Sequence, residues 1–589
     1  MDKKKINKKI NEKNYGKIAK KLFSYILNEW KLFFITIILV IASNLIVLWG
    51  PRYSGAAIDT LSKTPINFND TYLYVGLMLL AYLGSSVLTY ISSRLMVRVS
   101  EKVIVKMRQD TFDKIVDVPI KYIDTHQAGD LVSRISYDLD VVNQTVSNNI
   151  VSIVASLITV VGSFSMMMSI SPFLSVIFLF ILPVTILFTK YRVNKTRPLF
   201  SLRSRKLGEM NGYVEEILIG QKTIQAYEKE EYFSGEFWKR NSDSIDAYYK
   251  ADYQASINFP TMGFITNISI ALVSIFGSIL YLDGVFTLGY LSAFILYSRQ
   301  FSFPINQIAA VVAEVQSAFS AANRVFILLE QDNEKEDLPN AKELQNVEGK
   351  VEFRNVSFGY DDKMIIKNFN YIAKPGSLTA IVGHTGAGKT TLINLLMRFY
   401  DPQKGDILID DLSYKDIKRK SQRASFAMVL QDTWLFKGSI KDNLTYGRSE
   451  ATMEEIKNAA KSAHIDNFIE NQKYGYDTIL DEEAENLSQG QKQLMTIARA
   501  MLLNSPMLIL DEATSNVDSR TELQIQDAMN NLMKNKTSFV IAHRLSTIKN
   551  ADMILLLDNG EIIEKGTHEE LLAKNGEYSK LYNSQFINN

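Results

Sequence analysis

Long apolar runs fill the first half of the chain and then stop. They lie near residues 32–50, 72–92, 150–170, 173–190, 262–282 and 288–312. Each approaches the ~20 helical residues that cross a hydrocarbon core, so the pattern predicts six membrane-spanning helices. The first, LFFITIILVIASNLIVLWG, carries no charge, and the third and fourth are separated only by SISP, which predicts a tight hairpin. The last run holds Arg299, Gln300 and Gln307. Such groups are costly in lipid, so they are expected to face protein or a wet cavity.

The polar connections sort by length. Segments 51–71, 171–172 and 283–287 read as short outside loops, whereas 93–149 and 191–261 are long, charged and rich in helix formers. About 25 helical residues out and 25 back reach some 35–40 Å beyond the bilayer, so both connections are expected to be helical hairpins. Their tips are expected at residues 124–130 and 210–216. Residues 1–14 read as a solvated lysine tail; Ile18, Leu22, Tyr25, Ile26 and Trp30 then fall on one helical face opposite lysines, predicting an interfacial helix. Residues 330–346 are polar and contain Pro339, and are read as a linker. Beyond it, short apolar runs alternate with amphipathic helical stretches, the pattern of a soluble α/β protein. The expected organisation is residues 1–31 as tail and interfacial helix, 32–329 as a six-helix membrane domain, 330–346 as linker, and 347–589 as an α/β domain.

Charge adds orientation. Lysine and arginine concentrate in the tail and the two long connections, which places these on the cytoplasmic side. The net charge of +1 gives no global attraction to nucleic acid, and no nucleic-acid partner is expected. The chain has no cysteine, which excludes disulfides and Cys-based metal sites.

The chemistry lies in the second half. TAIVGHTGAGKTTLINLLMRF reads as strand, glycine loop and helix, and fits G-x-x-x-x-G-K-[ST] with Gly383, Gly388, Lys389 and Thr390. Loop N–H groups wrap phosphate oxygens, Lys389 reaches the β- and γ-phosphates, and Thr390 offers its hydroxyl to Mg²⁺. Thr385, Gly386 and Thr391 belong to the same phosphate-facing set; His384 is assigned no chemistry. PMLILDEATSNVD supplies a buried strand that delivers Asp511 and Glu512 at its carboxyl end, where ligands bind in open α/β sheets. Asp511 suits Mg²⁺, and Glu512 suits polarising the attacking water. A second phosphate-facing helix start follows Ser488 in ENLSQGQKQLMTIARAM.

Together LSQGQ (487–491), the phosphate loop, ILDEATSNVD (509–518) and IAHRLSTI (541–548) resemble the nucleotide-binding domain of an ABC transporter, and the six-helix part resembles a type IV exporter half-transporter. The resemblance implies that Tyr360 stacks on adenine, Gln431 touches Mg²⁺ and the attacking water, and His543 contacts the γ-phosphate. Ser488, Gly490 and Gln491 would face ATP held by another nucleotide-binding domain, and Asp518 would end a loop against that partner. ATP and Mg²⁺ are the implied cofactors, and a bacterial cytoplasmic membrane is the implied location.

Two departures bear on the partner. Residues 479–486, ILDEEAEN, lack the glycine usual before the signature, and Asp410-Asp411 replaces a frequent Asp-Gly turn. With Glu512 and His543 intact, this resembles the competent subunit of heterodimeric exporters. A different half-transporter is therefore the expected partner, with a homodimer as the alternative. The expected cargo is an amphipathic drug or dye, with a lipid-like or peptide substrate as the alternative; membrane lipid surrounds the chain. Phe294, Tyr297, Phe301 and Phe303 are candidate cavity-wall residues beside Arg299 and Gln300.

Overall fold

A computed structural model describes residues 16–584 apart from 63–65, 361–362, 482–483, 485, 512–517 and 543–547. Two compact units result: Met1–Asp117 with His126–Gln331, and Val118–Thr125 with Asp332–Asn589.

The first unit is helical. Among the described residues, α1 (Trp30–Leu61), α2 (Phe68–Asp117), α3 (Ala128–Ile170), α4 (Pro172–Ala226) and α5 (Glu230–Leu282) are long and apolar enough to cross a membrane. The sixth expected span falls in α6 (Leu288–Leu329), whose Arg299 and Gln300 dilute its apolar character. At ~1.5 Å per residue, a helix such as α4 runs far beyond a ~30 Å hydrocarbon core, as the long connections required. The described chain thus has a helical membrane part followed by an α/β part.

Three expectations change. The outside loop 51–71 is helical on to Leu61 and again from Phe68. Pro51 sits in the first turn after a break at Leu48, where a missing N–H costs little. The Leu48 carbonyl, at the break, accepts a 2.6 Å bond from the Tyr297 hydroxyl. The second hairpin tip lies not at 210–216 but at Tyr227–Lys229, where Glu228 takes φ +52°. The N–H groups of Glu228 and Lys229 donate back to Gln225 and Ile224, a helix stop normally made by glycine. Finally, residues 16–27 are helical, but Ile18, Leu22 and Ile26 are buried against Met96, Val99, Val103, Leu139 and Val325. That face meets protein instead of lipid, while Phe23, Leu27 and Trp30 stay exposed.

Two polar contacts tie the bundle. A Cβ on Gly289 would lie 2.0 Å from the Gly55 carbonyl oxygen, so α1 and α6 meet backbone to backbone. Asp59 then caps α6, accepting from the Gly289 N–H at 2.7 Å and the Thr287 hydroxyl at 2.8 Å. Wide π turns at Arg134–Asp138 and Thr145–Asn149 interrupt α3. The first carries Asp138, which is buried and accepts from Arg324 of α6 through both carboxylate oxygens. Phe294, Tyr297 and Phe301 are buried with Leu48, Met167, Leu174 and Phe178 in the packed interior of this unit. Helix packing, not an open cavity wall, occupies those three rings; Phe303 and Arg299 are exposed.

The second unit contains twelve described strands. β1 (Val351–Tyr360), β2 (Lys363–Ala373), β4 (Lys404–Ile409) and β5 (Leu412–Ser413) form a sheet in the order β2-β1-β4-β5, with every pair antiparallel. The β4–β5 turn places Asp410 and Asp411 at φ +47° and +65°, the left-handed pair a two-residue hairpin turn requires. Asp410 is compensated by accepting from the N–H groups of Glu348, Gly349 and Lys350 at 2.8–3.0 Å. β7 (Gly438–Ser439) and β8 (Ile479–Leu480) make a small ribbon. The main sheet comprises β3 (Leu378–Gly383), β6 (Phe426–Val429), β9 (Met507–Asp511), β10 (Thr537–Ile541), β11 (Met553–Asp558) and β12 (Glu561–Gly566), in the order β12-β11-β3-β10-β9-β6. All but β12 run parallel. β10 is buried along its whole length and β9 up to Leu510, as strands covered on both faces must be.

Candidate active site

Four adjacent strands, β3, β10, β9 and β6, point their carboxyl ends the same way. β3 ends at Gly383, β10 runs to Ile541, β9 ends at Asp511, and β6 ends at Val429, two residues before Gln431. Buried parallel pairing thus gathers at one sheet edge the segments that the sequence reading had singled out. Glu512 follows β9 directly and His543 comes two residues after the end of β10; both lie outside the described residues.

β3 passes through the loop 384–388 into α7 (Lys389–Leu396). Gly386 and Gly388 have φ +87° and +104°; residues with a Cβ are strained there. A Cβ on Gly386 would meet nothing within 4 Å, so its backbone opens onto free space. The Lys389 ammonium donates to the Gly383 and His384 carbonyls at 2.8 and 3.1 Å. Burial lowers its pKa, and the Asp511 carboxylate acts in the opposite direction. Thr385, Gly386 and Thr390 are exposed, whereas Thr391 is on the buried side of α7. Open N–H groups at a helix start beside an ammonium and a carboxylate suit a magnesium-bearing polyphosphate.

Tyr360 ends β1 and accepts from the Asn394 amide of α7 at 3.1 Å. Its ring meets Phe358 and Tyr400 edge-on, with centroids 5.1 Å away in both cases. Gln431 is exposed.

Ser488, Gly490 and Gln491 begin α8 (Gln489–Leu503). The Ser488 hydroxyl accepts from the Gln491 N–H at 3.3 Å, and the Gln491 side chain accepts from the Ser488 N–H at 2.9 Å, a reciprocal cap. Gly490 is buried and Ser488 exposed. α8 packs on β6, the sheet edge strand. β6 and β3 are three strand spacings apart, on the order of 14 Å. The two phosphate-facing helix starts therefore belong to different places in the unit. None of Ser488, Gly490 and Gln491 lines the cavity formed by Gly383, His384, Thr385, Lys389 and Ala542.

Sequence reading missed Arg499 and the arginines around the linker, and for Asp518 it missed the helix cap. Arg499 of α8, its pKa lowered by burial, donates to the carbonyls of Trp434 and Asn443 at 3.1 and 2.8 Å and to the Asn443 side chain at 3.0 Å. It bolts the segment after Gln431 to α8. Asp518 starts α9 (Ser519–Met533), accepting from the N–H groups of Thr521 and Arg520, which lower its pKa. An aspartate just before a helical pattern was the available signal. Residues 334–337 are held by a cluster of arginines: Arg423 on Glu334, Arg398 on Asp337, and Arg419 donating to Asp337 and to the Lys335 carbonyl. The linker is thus docked on the second unit from Glu334 onward.

The comparisons agree with this architecture. The profile of the ABC transporter transmembrane region matches residues 33–305, and that of the ABC transporter matches residues 366–515. The chain is 39% identical to the uncharacterized ABC transporter ATP-binding protein YfiC of Bacillus subtilis, over 98% of this chain and 96% of that protein. It is 42% identical to a fatty acid ABC transporter ATP-binding/permease protein of Mycobacterium tuberculosis, over 81% of this chain and 75% of the other. It is also 36% identical to an ATP-dependent lipid A-core flippase of Hahella chejuensis, over 82% of each. The structure of a bacterial Atm1-family ABC exporter with ATP bound superposes with a TM-score of 0.78 at 27% identity, covering 94% of this chain and 98% of that one. Apolar helices and a fused ATPase make it a multi-pass cell-membrane protein with its ATPase in the cytoplasm. The chain belongs to the ABC transporter family, as an exporter half-transporter that couples ATP hydrolysis to transport.

Proposed function

We propose that the chain is one half of a dimeric exporter that uses ATP to move an amphipathic, acyl-chain-bearing molecule across the bacterial cytoplasmic membrane. The cargo reading rests on the relatives whose names state a cargo, a fatty acid transporter and a lipid A-core flippase. They favour acyl lipids over the drugs and dyes expected from sequence alone.

The observation that carries the dimer reading is the separation of the phosphate loop on β3 from the Ser488 helix start beside β6. In this reading Tyr360 stacks on adenine, Gly383–Thr391 wraps the phosphates, and Lys389 balances their charge. Thr390, Gln431 and Asp511 hold Mg²⁺, which supplies positive charge against the phosphate oxygens when bound. Glu512 orients the attacking water and His543 meets the γ-phosphate. Ser488, Gly490 and Gln491 complete the site of a second half-transporter. The departure at 479–486 favours a partner of different sequence. Differential binding drives transport, because ATP favours the closed pair over the open one.

The test uses the assembled transporter in phospholipid vesicles. ATP should redistribute a fluorescent fatty acid between leaflets, and Glu512→Gln should abolish this while leaving ATP bound. Movement of dyes without any fatty acid or phospholipid movement would replace the cargo. Normal turnover by Glu512→Gln would remove the assigned chemistry.

A further inference from the structure

Residues 118–125 join α2 to α3 by chain, yet by their contacts they belong to the ATPase unit. They contain a short helix, Ile120–Asp124. Its last residue, Asp124, accepts a 2.6 Å hydrogen bond from the Tyr400 hydroxyl. Bonds of this kind to an ionised carboxylate are about twice as strong as neutral ones. Tyr400 is 8% exposed and lies edge-on to Tyr360, at a centroid distance of 5.1 Å and an interplanar angle of 89°. Tyr360 in turn accepts from Asn394 of α7, the helix that begins at the phosphate loop.

The stretch carrying Tyr400 is fixed on both sides. Arg398 donates to the Ile417 carbonyl. Gln403 donates from its backbone to Ser357 and from its side chain to Gly359. A shift of Tyr360 therefore has little slack in which to dissipate before it reaches Tyr400. Pro119 and Lys121 line the same ~300 Å³ cavity as Tyr360, Tyr400 and Arg398.

We propose that Tyr400 is a positioning residue for the ATP-driven cycle: its ring reads the placement of Tyr360, and its hydroxyl passes that placement to Asp124 and so to the joined ends of α2 and α3. This rests on the reading of Tyr360 as the adenine-stacking ring. The ring contact and the hydroxyl contact are separable. Tyr400→Phe keeps the first and removes the second. Asp124→Asn keeps an acceptor oxygen, whereas Asp124→Ala does not.

Hydrogen exchange followed by mass spectrometry on the full assembly tests this, with Glu512→Gln added so that ATP is held. With Tyr400 present, ATP should change exchange both in the phosphate-loop peptides and in peptides flanking residues 118–125. Tyr400→Phe should leave ATP affinity and the phosphate-loop response unchanged. The response at the α2 and α3 ends should fall about fivefold or more, within the usual range of coupling between sites. Asp124→Ala should reproduce that loss, Asp124→Asn should largely restore the response, and the double variant should be no worse than either single loss. A full response at the α2 and α3 ends in both Tyr400→Phe and Asp124→Ala overturns the proposal. Equal loss of the phosphate-loop response also overturns it, because Tyr400 would then be merely structural. Tyr360→Ala tests the underlying reading separately: unchanged ATP affinity there removes adenine stacking, whatever Tyr400 does.

Discussion

Ser488 has one role in the structure and a second in the proposed function, and a single substitution can pull them apart. Its hydroxyl caps α8 by accepting from the Gln491 N–H, and in the proposed function the same hydroxyl faces a phosphate on the partner. Ser488→Ala removes both roles, and loss of a cap costs about 1 kcal/mol. Ser488→Asp keeps the cap, because aspartate caps as well as serine, and its charge suits a helix N-terminus. The same charge is ruinous for the second role. A carboxylate about 4 Å from one phosphate charge is repelled by about 4 kcal/mol at an effective dielectric constant of 20, which is about three orders of magnitude in an equilibrium constant. The expected result is a Ser488→Asp protein with wild-type thermal stability or slightly better, ATPase activity near background and no ATP-dependent closure. Ser488→Ala should be slightly less stable and partly active. Stability is read by thermal unfolding in detergent and activity by phosphate release in vesicles. If Ser488→Asp hydrolyses ATP as well as Ser488→Ala does, no phosphate lies in front of α8 and the reasoning fails.

Other perturbations follow from the same geometry. Arg324→Ala leaves the buried Asp138 carboxylate without its cation; as Arg324 itself is partly exposed, the loss should be about 2–3 kcal/mol, below the full cost of breaking a buried pair. Thermal unfolding should show Asp138→Asn recovering part of that loss in the double variant. Gly388→Ala places a Cβ 2.7 Å from the Ile366 side chain at φ +104°, so ATP binding, measured with a fluorescent nucleotide, should be lost while expression in the membrane persists. Charge reversal at Glu334→Arg should free the linker from Arg423, seen as new trypsin cleavage within 330–346, and Arg423→Glu in the same chain should restore protection.

What the sequence disclosed was whatever repeats with a period or requires a particular atom. The five long helices follow from unbroken apolar runs, and the gathering of the phosphate loop with Asp511 follows from buried strands that end in polar residues. Positions set by single side chains were not legible. Glu228 ends α4 where a reader looks for glycine, and Gly212, a nominal breaker, is absorbed inside the helix. The face of Ile18, Leu22 and Ile26 reads equally well as lipid-facing or protein-facing, and only the partners on α2, α3 and α6 decide it. Tyr297 and its neighbours were apolar enough for a cavity wall but are filled in by packing. Asp124 and Tyr400 lie 276 residues apart, beyond any local pattern. Arg499, by contrast, was written within the helix that carries the signature, but its acceptors at Trp434 and Asn443 were not.

The central claim is that α8 of one chain faces the phosphate loop of another. Because the chain contains no cysteine, Gln489→Cys gives one unique attachment point, exposed and beside Ser488. A benzophenone label there, in the purified assembly with Glu512→Gln and ATP, should on illumination yield an ATP-dependent adduct between two chains, with the crosslink mapping to the partner's phosphate loop. An adduct confined to a single chain, or one formed equally without nucleotide, would contradict the account.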